Sequence, residues 1–592
     1  MDEVHGIVGA VEMTGAAAGE IRASDQTPPT SRRRRLAARI ARALRGERTL
    51  VGAGALVLAA TMTWPTLRRP TTTIPMDTGD PTMQAWQLAW SGHVLTHDPS
   101  SLWQSNTFYP ERYSFAFTDT LLGYFPAGMV GTGPVAALLR YNIMFVLVFA
   151  LAFVGAYALV RQLGSGWIGA TVAGAAFAYA PWRLAQAGHL QVLSTGGIAL
   201  ALAMLARGHG WSLRHGYRPD RARPGWALAA WLVAAWQLSL GFGIGVPFAY
   251  ALGLVCVAAC AGWLWRRPRL PLRLLLADAA GLAVFAAVAG FMAHPYLRVV
   301  QQFPYVRRSW QDVAVASPPL RGFFTSPGLS VVWGAAHADA RAALGYRGEV
   351  SLLPGFALYA LAAVGLVLSI WTLRQRLLLA GGAAASVLLG MGTEGPAGGR
   401  FTYGLLYGAL PGFDAIRTPG RLVVWTTLLL AVLAAGATAA IARRGPHKAV
   451  RGLAVLLPLL VLAEGLNRTP HPVVPPPPAA LATAPAPLLV LPTGATADGV
   501  AMLWATDRFP LMVNGSAAFT PARQAAIRQA ARRFPDADSV AVLRAIGVRS
   551  VVVSRGGVAG TPYEPALRAR IDGLPVGRRD TPDAVVYTLD LE

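Results

Sequence analysis

The chain has 592 residues, 54% of them hydrophobic and only 14% charged, with a mean hydropathy of +0.43. A soluble globular chain carries about 25% charged residues, so a soluble enzyme is excluded and most of the chain belongs in lipid. Lys and Arg number 52 against 29 Asp and Glu, a formal +23, which in this composition marks loops held at an anionic cytoplasmic leaflet rather than nucleic-acid binding. Cys256 and Cys260 stand four apart inside an apolar run, which excludes a disulfide framework and reads as packing. The segment 1–48 begins without an apolar period and reads as a disordered cytoplasmic leader. It ends in a basic run, Arg32 to Arg35 and then Arg39, Arg42, Arg45 and Arg48, too far from the start for an ordinary cleaved signal.

Runs apolar enough to cross about 30 Å of hydrocarbon follow at 49–65, 142–160, 167–181, 190–206, 225–240, 246–265, 273–293, 351–371, 377–392, 420–442 and 450–466. These predict a mainly α, polytopic bundle of about eleven spans over 49–466. With the first span leaving the cytoplasm at Arg48, every second loop should be basic. The loops so assigned carry Arg161, Arg207 to Arg223, Arg266 to Arg273, Arg374 with Arg376, and Arg443 to Arg451, while the short outer turns hold Arg183 or no charge. Two outer loops are long, 66–141 and 294–350, and long loops are uncommon unless functional. Trp86 and Trp90, four apart, predict interfacial helices with aromatic anchors in the first of them.

A stiff Pro-rich linker occupies 467–485, with Pro475 to Pro478 at its centre. The period then changes. Leu488 to Pro492, Val548 to Ser554 and Ala584 to Leu589 read as strands, and Pro521 to Arg533 and Ser539 to Ile546 as helices, predicting a small α/β domain over 486–592. With an odd number of spans it is external to the cytoplasmic membrane, opposite the amino terminus.

Asp77 and Asp80, in Pro75-Met-Asp-Thr-Gly-Asp-Pro81, fall at the outer face just after the first span. A carboxylate there can act as general base on a hydroxyl or hold a divalent cation with its neighbour; alternatively Asp80 caps a helix beginning at Pro81. Asp119 stands in an apolar stretch, a site candidate unless it caps a helix or pairs with Arg112. Arg183 and His189 at the next outer turn can grip a phosphate, or merely snorkel at the interface. The second long loop adds His294, Arg298, Tyr305, Arg307, Arg308 and Glu349, basic residues on the side where topology does not demand them, which suggests an anionic ligand. Asp414, Arg417 and Arg421 sit at a third outer turn, as phosphate contacts or as an Asp–Arg pair. No Walker loop, kinase set, HExxH, paired CxxC or nucleophile elbow is present.

Thr78-Gly-Asp-Pro81, Asp119 and the Arg183 to His189 turn, set in this order of spans and long outer loops, resemble the GT-C superfamily of polyprenyl-phosphate-sugar-dependent membrane glycosyltransferases. The resemblance covers most of 49–466. The tail, with Met502 to Thr506, Leu511 to Ser516, Arg533 to Asp536 and Ile546 to Val553, looks like that of bacterial multi-spanning membrane proteins. The resemblance implies a lipid-linked sugar donor, a glycan or lipid acceptor, Asp80 or Asp77 as the base, and Arg298, Arg307 or Arg417 as phosphate partners. The sequence departs from the pattern in having no Asp-Asp or Glu-x-Asp pair at the first motif. A transporter or flippase of an anionic lipid or sugar would carry ionisable residues within its spans and an inverted repeat, and these spans are nearly free of charge. A noncatalytic envelope-assembly scaffold using the α/β tail is a third reading.

Overall fold

The computed structural model describes residues 46–266, 271–444 and 448–589. The leader and most of its basic run lie outside them. Residues 46–51 open the first helix, and Gly52–Glu592 forms one compact unit.

The molecule is mainly helical. Every apolar run named above is helical: α1 Glu47–Met62, α3 Gly133–Leu163, α4 Trp167–Tyr179, α6 Gly196–Gly208, α7 Pro224–Leu238, α8 Phe242–Arg266, α9 Leu272–Gln302, α10 Phe356–Val367, α11 Leu373–Gly390, α12 Val423–Arg444, and a last run ending in α13 Leu457–Glu464. Among the described residues, five helical segments are long and apolar enough to cross a membrane by length and composition: α3, α8, α9, Leu190–Gly208 and Pro419–Arg444.

The bundle is built by a chain of neighbours: α3 packs on α4 and α6, α6 on α7, α7 on α9, and α12 on α4, α10 and α11. Small residues allow the close contacts. A Cβ on Gly155 of α3 would stand 2.4 Å from the Gly196 carbonyl of α6, and one on Gly169 of α4 would stand 2.6 Å from the Ala435 carbonyl of α12. Such approaches are how helices associate where no hydrophobic drive separates protein from lipid. Glu464 at the end of α13 is buried and accepts the Phe356 and Ala357 amides at 2.9 Å each and the Trp333 indole N–H at 2.7 Å. Its carboxylate therefore answers the unpaired N–H groups that open α10.

The first long loop holds α2, Asp80–His97, and this helix corrects the expectation of an interfacial anchor. Trp86 and Trp90 are buried and stacked with their centroids 6.3 Å apart, and their indole N–H groups donate to Asn106 Oδ1 and the Leu102 carbonyl. The two tryptophans are core rather than belt. Asp80 does not cap the helix either: Gly79 is the N-cap and no side chain caps it. The carboxylate is free to point elsewhere.

The tail folds around a four-stranded sheet of β1 Leu488–Leu491, β2 Ser550–Ser554, β3 Val576–Asp580 and β4 Ala584–Leu589, in the order β1-β2-β4-β3. β1 and β2 are parallel, the other pairs antiparallel. Alternation serves both faces. Leu489, Leu491, Val551 and Val553 pack with Ile527 of α15 Ala522–Ala531 and Leu543 of α16 Ala537–Ala545, while Leu488, Val490 and Val552 pack with Val500 and Trp504 of α14 Ala495–Trp504. The tail is tied to the first long loop, since α14 lies on α2 and the amides of Phe108 and Tyr109 donate to the Asn514 and Met512 carbonyls.

Candidate active site

Helix α2 presents Asp80, Gln84 and Gln87 at i, i+4 and i+7, a spacing that puts three polar side chains on one face. Each holds a different partner. Asp80 Oδ2 lies 3.1 Å from His189 Nε2, with both side chains partly open to solvent. Gln84 Nε2 donates to the Gly188 carbonyl and Gln191 Oε1, and its Oε1 accepts the Leu190 amide at 2.9 Å, so one amide clasps the turn that carries His189. Gln87 donates at 2.7 Å to the Asp119 carbonyl. From the other side, Tyr296 of α9 donates its hydroxyl to the Thr118 carbonyl at 3.0 Å.

Asp119 thus arrives on a braced loop, and its Oδ1 accepts the Phe242 amide at the start of α8. The pair Gly241 and Gly243 makes room for it. A Cβ on Gly241 would stand 3.4 Å from Asp119 Cγ, and one on Gly243 would be 3.7 Å from Arg421 Nη1 and 3.9 Å from Asp119 Oδ2. Burial pushes the Asp119 carboxyl up from its ordinary range, against the pull of the Phe242 and Gly243 amides, Arg421 and His189.

Arg421 is gripped by Glu349 in a fork, Nη2 to Oε1 at 2.7 Å and Nε to Oε2 at 3.3 Å. Burial would raise the Glu349 carboxyl, but Arg421 and His189 hold it below the ordinary range. Gln186 bridges back: its Nε2 donates to Glu349 Oε2 at 3.2 Å, and its Oε1 lies 3.0 Å from His189 Nδ1. That contact assigns the proton to Nδ1, since an amide oxygen only accepts, and leaves Nε2 facing Asp80. Asp77 joins at the other flank, its Oδ1 accepting the Gly79 amide at 2.7 Å and its Oδ2 beside Gly188. The result is a ring of side chains in which Asp80, His189, Gln186, Glu349 and Arg421 are linked in series and Asp119 and Asp77 lie beside them. It gathers four carboxylates around one guanidinium and one imidazole, a field that favours developing positive charge.

The remaining predicted residues lie apart from this ring. Arg183 is fully buried, with its Nη groups on Thr195 Oγ1 and the Leu193 carbonyl and its plane against Phe149 and Trp182. It neither snorkels nor reaches the carboxylates. Arg298 is exposed on α9. Arg307 approaches Asp414 at 3.9 Å in an exposed pair, Arg308 donates to the Ala518 carbonyl of the tail, and exposed Arg417 stands near Arg308. Arg307, Arg308 and Arg417 form a second basic cluster where loop, turn and tail meet. Asp414 takes no part in holding Arg421, and Asp119 pairs with the α8 amide rather than with exposed Arg112.

Gln84, Gln87, Gln186, Gln191 and Tyr296 were not singled out from sequence. The signal for the first two was their helical offset from Asp80, and for Gln186 its place three residues before His189. Among the described residues no group of three or more His, Cys, Asp or Glu is placed to hold a divalent cation, and Asp80 and Asp77 are turned to His189 and the Gly79 amide.

A narrow apolar cleft opens beside the ring, lined by Gly243, Ile244, Pro247, Leu422 and Trp425 with Arg421 at its polar end.

No family model and no curated protein matches the chain. Among solved structures it is similar to the arabinofuranosyltransferase AftD from Mycobacteria, at 17% identity and a TM-score of 0.49 over 92% of this chain and 40% of that one. It is also similar to the Archaeoglobus fulgidus oligosaccharyltransferase, at 13% identity and 0.43 over 91% and 73%, and to ArnT from Cupriavidus metallidurans, at 16% and 0.38 over 92% and 98%. The chain thus spans less than half of AftD. With each of these TM-scores below 0.5, the likenesses carry nothing about the site, whose geometry stands by itself.

Proposed function

We propose that the chain is a multi-pass membrane glycosyltransferase that moves a sugar from a polyprenyl-phosphate donor to an envelope glycan or lipid acceptor at the outer face of the cytoplasmic membrane. The observation that carries this reading is the Asp80–His189 pair, partly open to solvent and joined through Gln186 and Glu349 to Arg421 at the head of an apolar cleft. All eleven apolar runs serve as spans in this reading, with the amino terminus inside and the tail outside, as the alternation of basic loops supports.

The apolar cleft suits an isoprenoid chain, and Arg421 meets the phosphate that departs with the lipid. Asp80 takes the proton of the acceptor hydroxyl, and His189, with its own proton on Nδ1, leaves Nε2 bare to receive that proton from Asp80. As the sugar leaves the phosphate its anomeric carbon gains oxocarbenium character, and the carboxylates of Asp77 and Asp80 stabilise that positive charge. Asp119 in its neutral form leaves Arg421 shared with Glu349 alone, which favours phosphate at Arg421; Asp119 ionised competes for the same guanidinium. The arginines of the second cluster, Arg307, Arg308 and Arg417, and the exposed Arg298 border the acceptor's approach in this reading rather than the donor phosphate.

Purified protein in detergent, given a panel of radiolabelled polyprenyl-phosphate sugars and membrane-derived acceptors, should move label from one donor into acceptor. Label that crosses vesicles intact, with no transfer from any donor, would replace this reading by the transporter.

A further inference from the structure

A second, mostly apolar cavity is lined by none of the ring residues. Its walls are the end of α1 (Met62, Thr63), Phe145 and Phe149 of α3, Tyr179 at the end of α4, Arg183, and the segment from Asn467 to His471. Most of its polar groups are spoken for. Asn467 Nδ2 donates to the Met62 carbonyl and its Oδ1 accepts from Thr469, while the His471 ring lies between the Thr469 carbonyl and Thr66 Oγ1. Two are not: Arg183 Nε and Tyr179 Oη are buried and, among the described residues, have no hydrogen-bond partner.

Both open groups are donors, and one of them belongs to a cation. Each Nη of Arg183 makes one hydrogen bond, to a hydroxyl and to a carbonyl, and among the described residues no carboxylate pairs with it. A guanidinium enclosed without counter-charge is costly, and two converging unpaired donors ask for an anionic acceptor. A neutral water would satisfy the donors and leave the charge uncompensated.

We propose that this cavity is a second binding site, for a phosphate-type oxyanion held by Arg183 Nε–H and Tyr179 O–H, with Met62, Phe145 and Phe149 flanking whatever apolar group the phosphate carries. The site is separate from the carboxylate ring and does not depend on the transfer reading. Free phosphate and the headgroup of an anionic phospholipid share this chemistry.

The test uses the purified full chain in detergent, with its thermal midpoint titrated with sodium phosphate against sodium chloride at matched ionic strength. A parallel arm measures binding of phosphatidylglycerol against phosphatidylcholine by native mass spectrometry. Saturable stabilisation by phosphate, or retention of phosphatidylglycerol alone, is expected, and the arm that responds identifies the source. Tyr179→Phe should weaken that response about tenfold, the loss expected for one hydrogen bond to a charged acceptor, and Arg183→Gln should weaken it further. Asp80→Asn should leave it unchanged. Tyr179→Phe preserves the ring, so it decides the matter if Arg183→Gln fails to fold. No saturable response in either arm, or an undiminished response in folded Tyr179→Phe, would overturn the proposal.

Discussion

Arg421 is held by one carboxylate and lies near another of different character: Glu349, paired with it in a fork and pulled below the ordinary range, and Asp119, pushed above it by burial. Removing one partner of a buried pair costs about 3–5 kcal/mol because the other charge is left alone, and with Asp119 near, Glu349→Leu should cost about 3 kcal/mol in unfolding measured in mixed detergent. Adding Arg421→Met should recover at least half of that loss; equal losses in single and double variants would mean the pair is not what stabilises this corner. Asp119 provides the pH dependence. Its folded pKa is raised, so the neutral form persists above the usual range and the stability it brings is lost as pH climbs through the raised value. In the same interval the ionised form turns to Arg421, so donor KM should rise with pH while kcat changes little. Asp119→Asn should flatten the KM profile, and a flat wild-type profile would contradict that role. The ionisable members of the ring were legible because charge in an apolar context stands out. The amides that position them were not, since nothing marks a neutral glutamine except its offset on a helix. The Glu349–Arg421 pair joins residues from different loops, and proximity in sequence pointed to Asp414 instead.

At the scale of elements, α2 shows why a correct period can lead to a wrong surroundings. Trp86 and Trp90 four apart announce a helix with an aromatic face, yet the same pattern serves an interface or a core, and here α14 and the loop around Asn106 and Leu102 cover it. Three tail strands were readable from unbroken Val and Leu runs, whereas β3 Val576–Asp580 was missed because Gly577, Arg578, Arg579 and Asp580 disguise an edge strand. Helix α14 was missed for want of an amphipathic period over Ala495–Gly499. That helix carries Asp498, fully buried, 2.6 Å from Arg528 Nη2 and 2.6 Å from Asn514 Nδ2. Burial drives its pKa from 3.8 to about 6 despite Arg528 and Asn514. An acid so raised adds stability that is fully present below 3.8 and is lost as pH rises towards 6, of order 2–3 kcal/mol. Hydrogen-exchange protection of the Leu488–Leu491 amides, corrected for intrinsic rates, should therefore fall between pH 4 and pH 6.5. Asp498→Asn should remove that part of the fall, and an identical slope in the variant would place the linkage elsewhere.

For the whole molecule, the helical character of all eleven apolar runs was legible because lipid demands long apolar stretches with satisfied backbones. The number that cross was less so. α4 Trp167–Tyr179 and α10 Phe356–Val367 are short, and their burial among small residues rather than their length holds them in the bundle. What no local pattern could convey is that the turn before α6, the loop after α9, the start of α12 and the first long loop converge on one ring of side chains. In the proposed reaction this ring transfers a sugar through Asp80. Single-turnover transfer from the labelled donor, wild type against Asp80→Asn with donor affinity measured in parallel, tests it most directly. The rate should fall about 10²- to 10⁴-fold with donor binding little changed; wild-type rates in both Asp80→Asn and Asp77→Asn would contradict it.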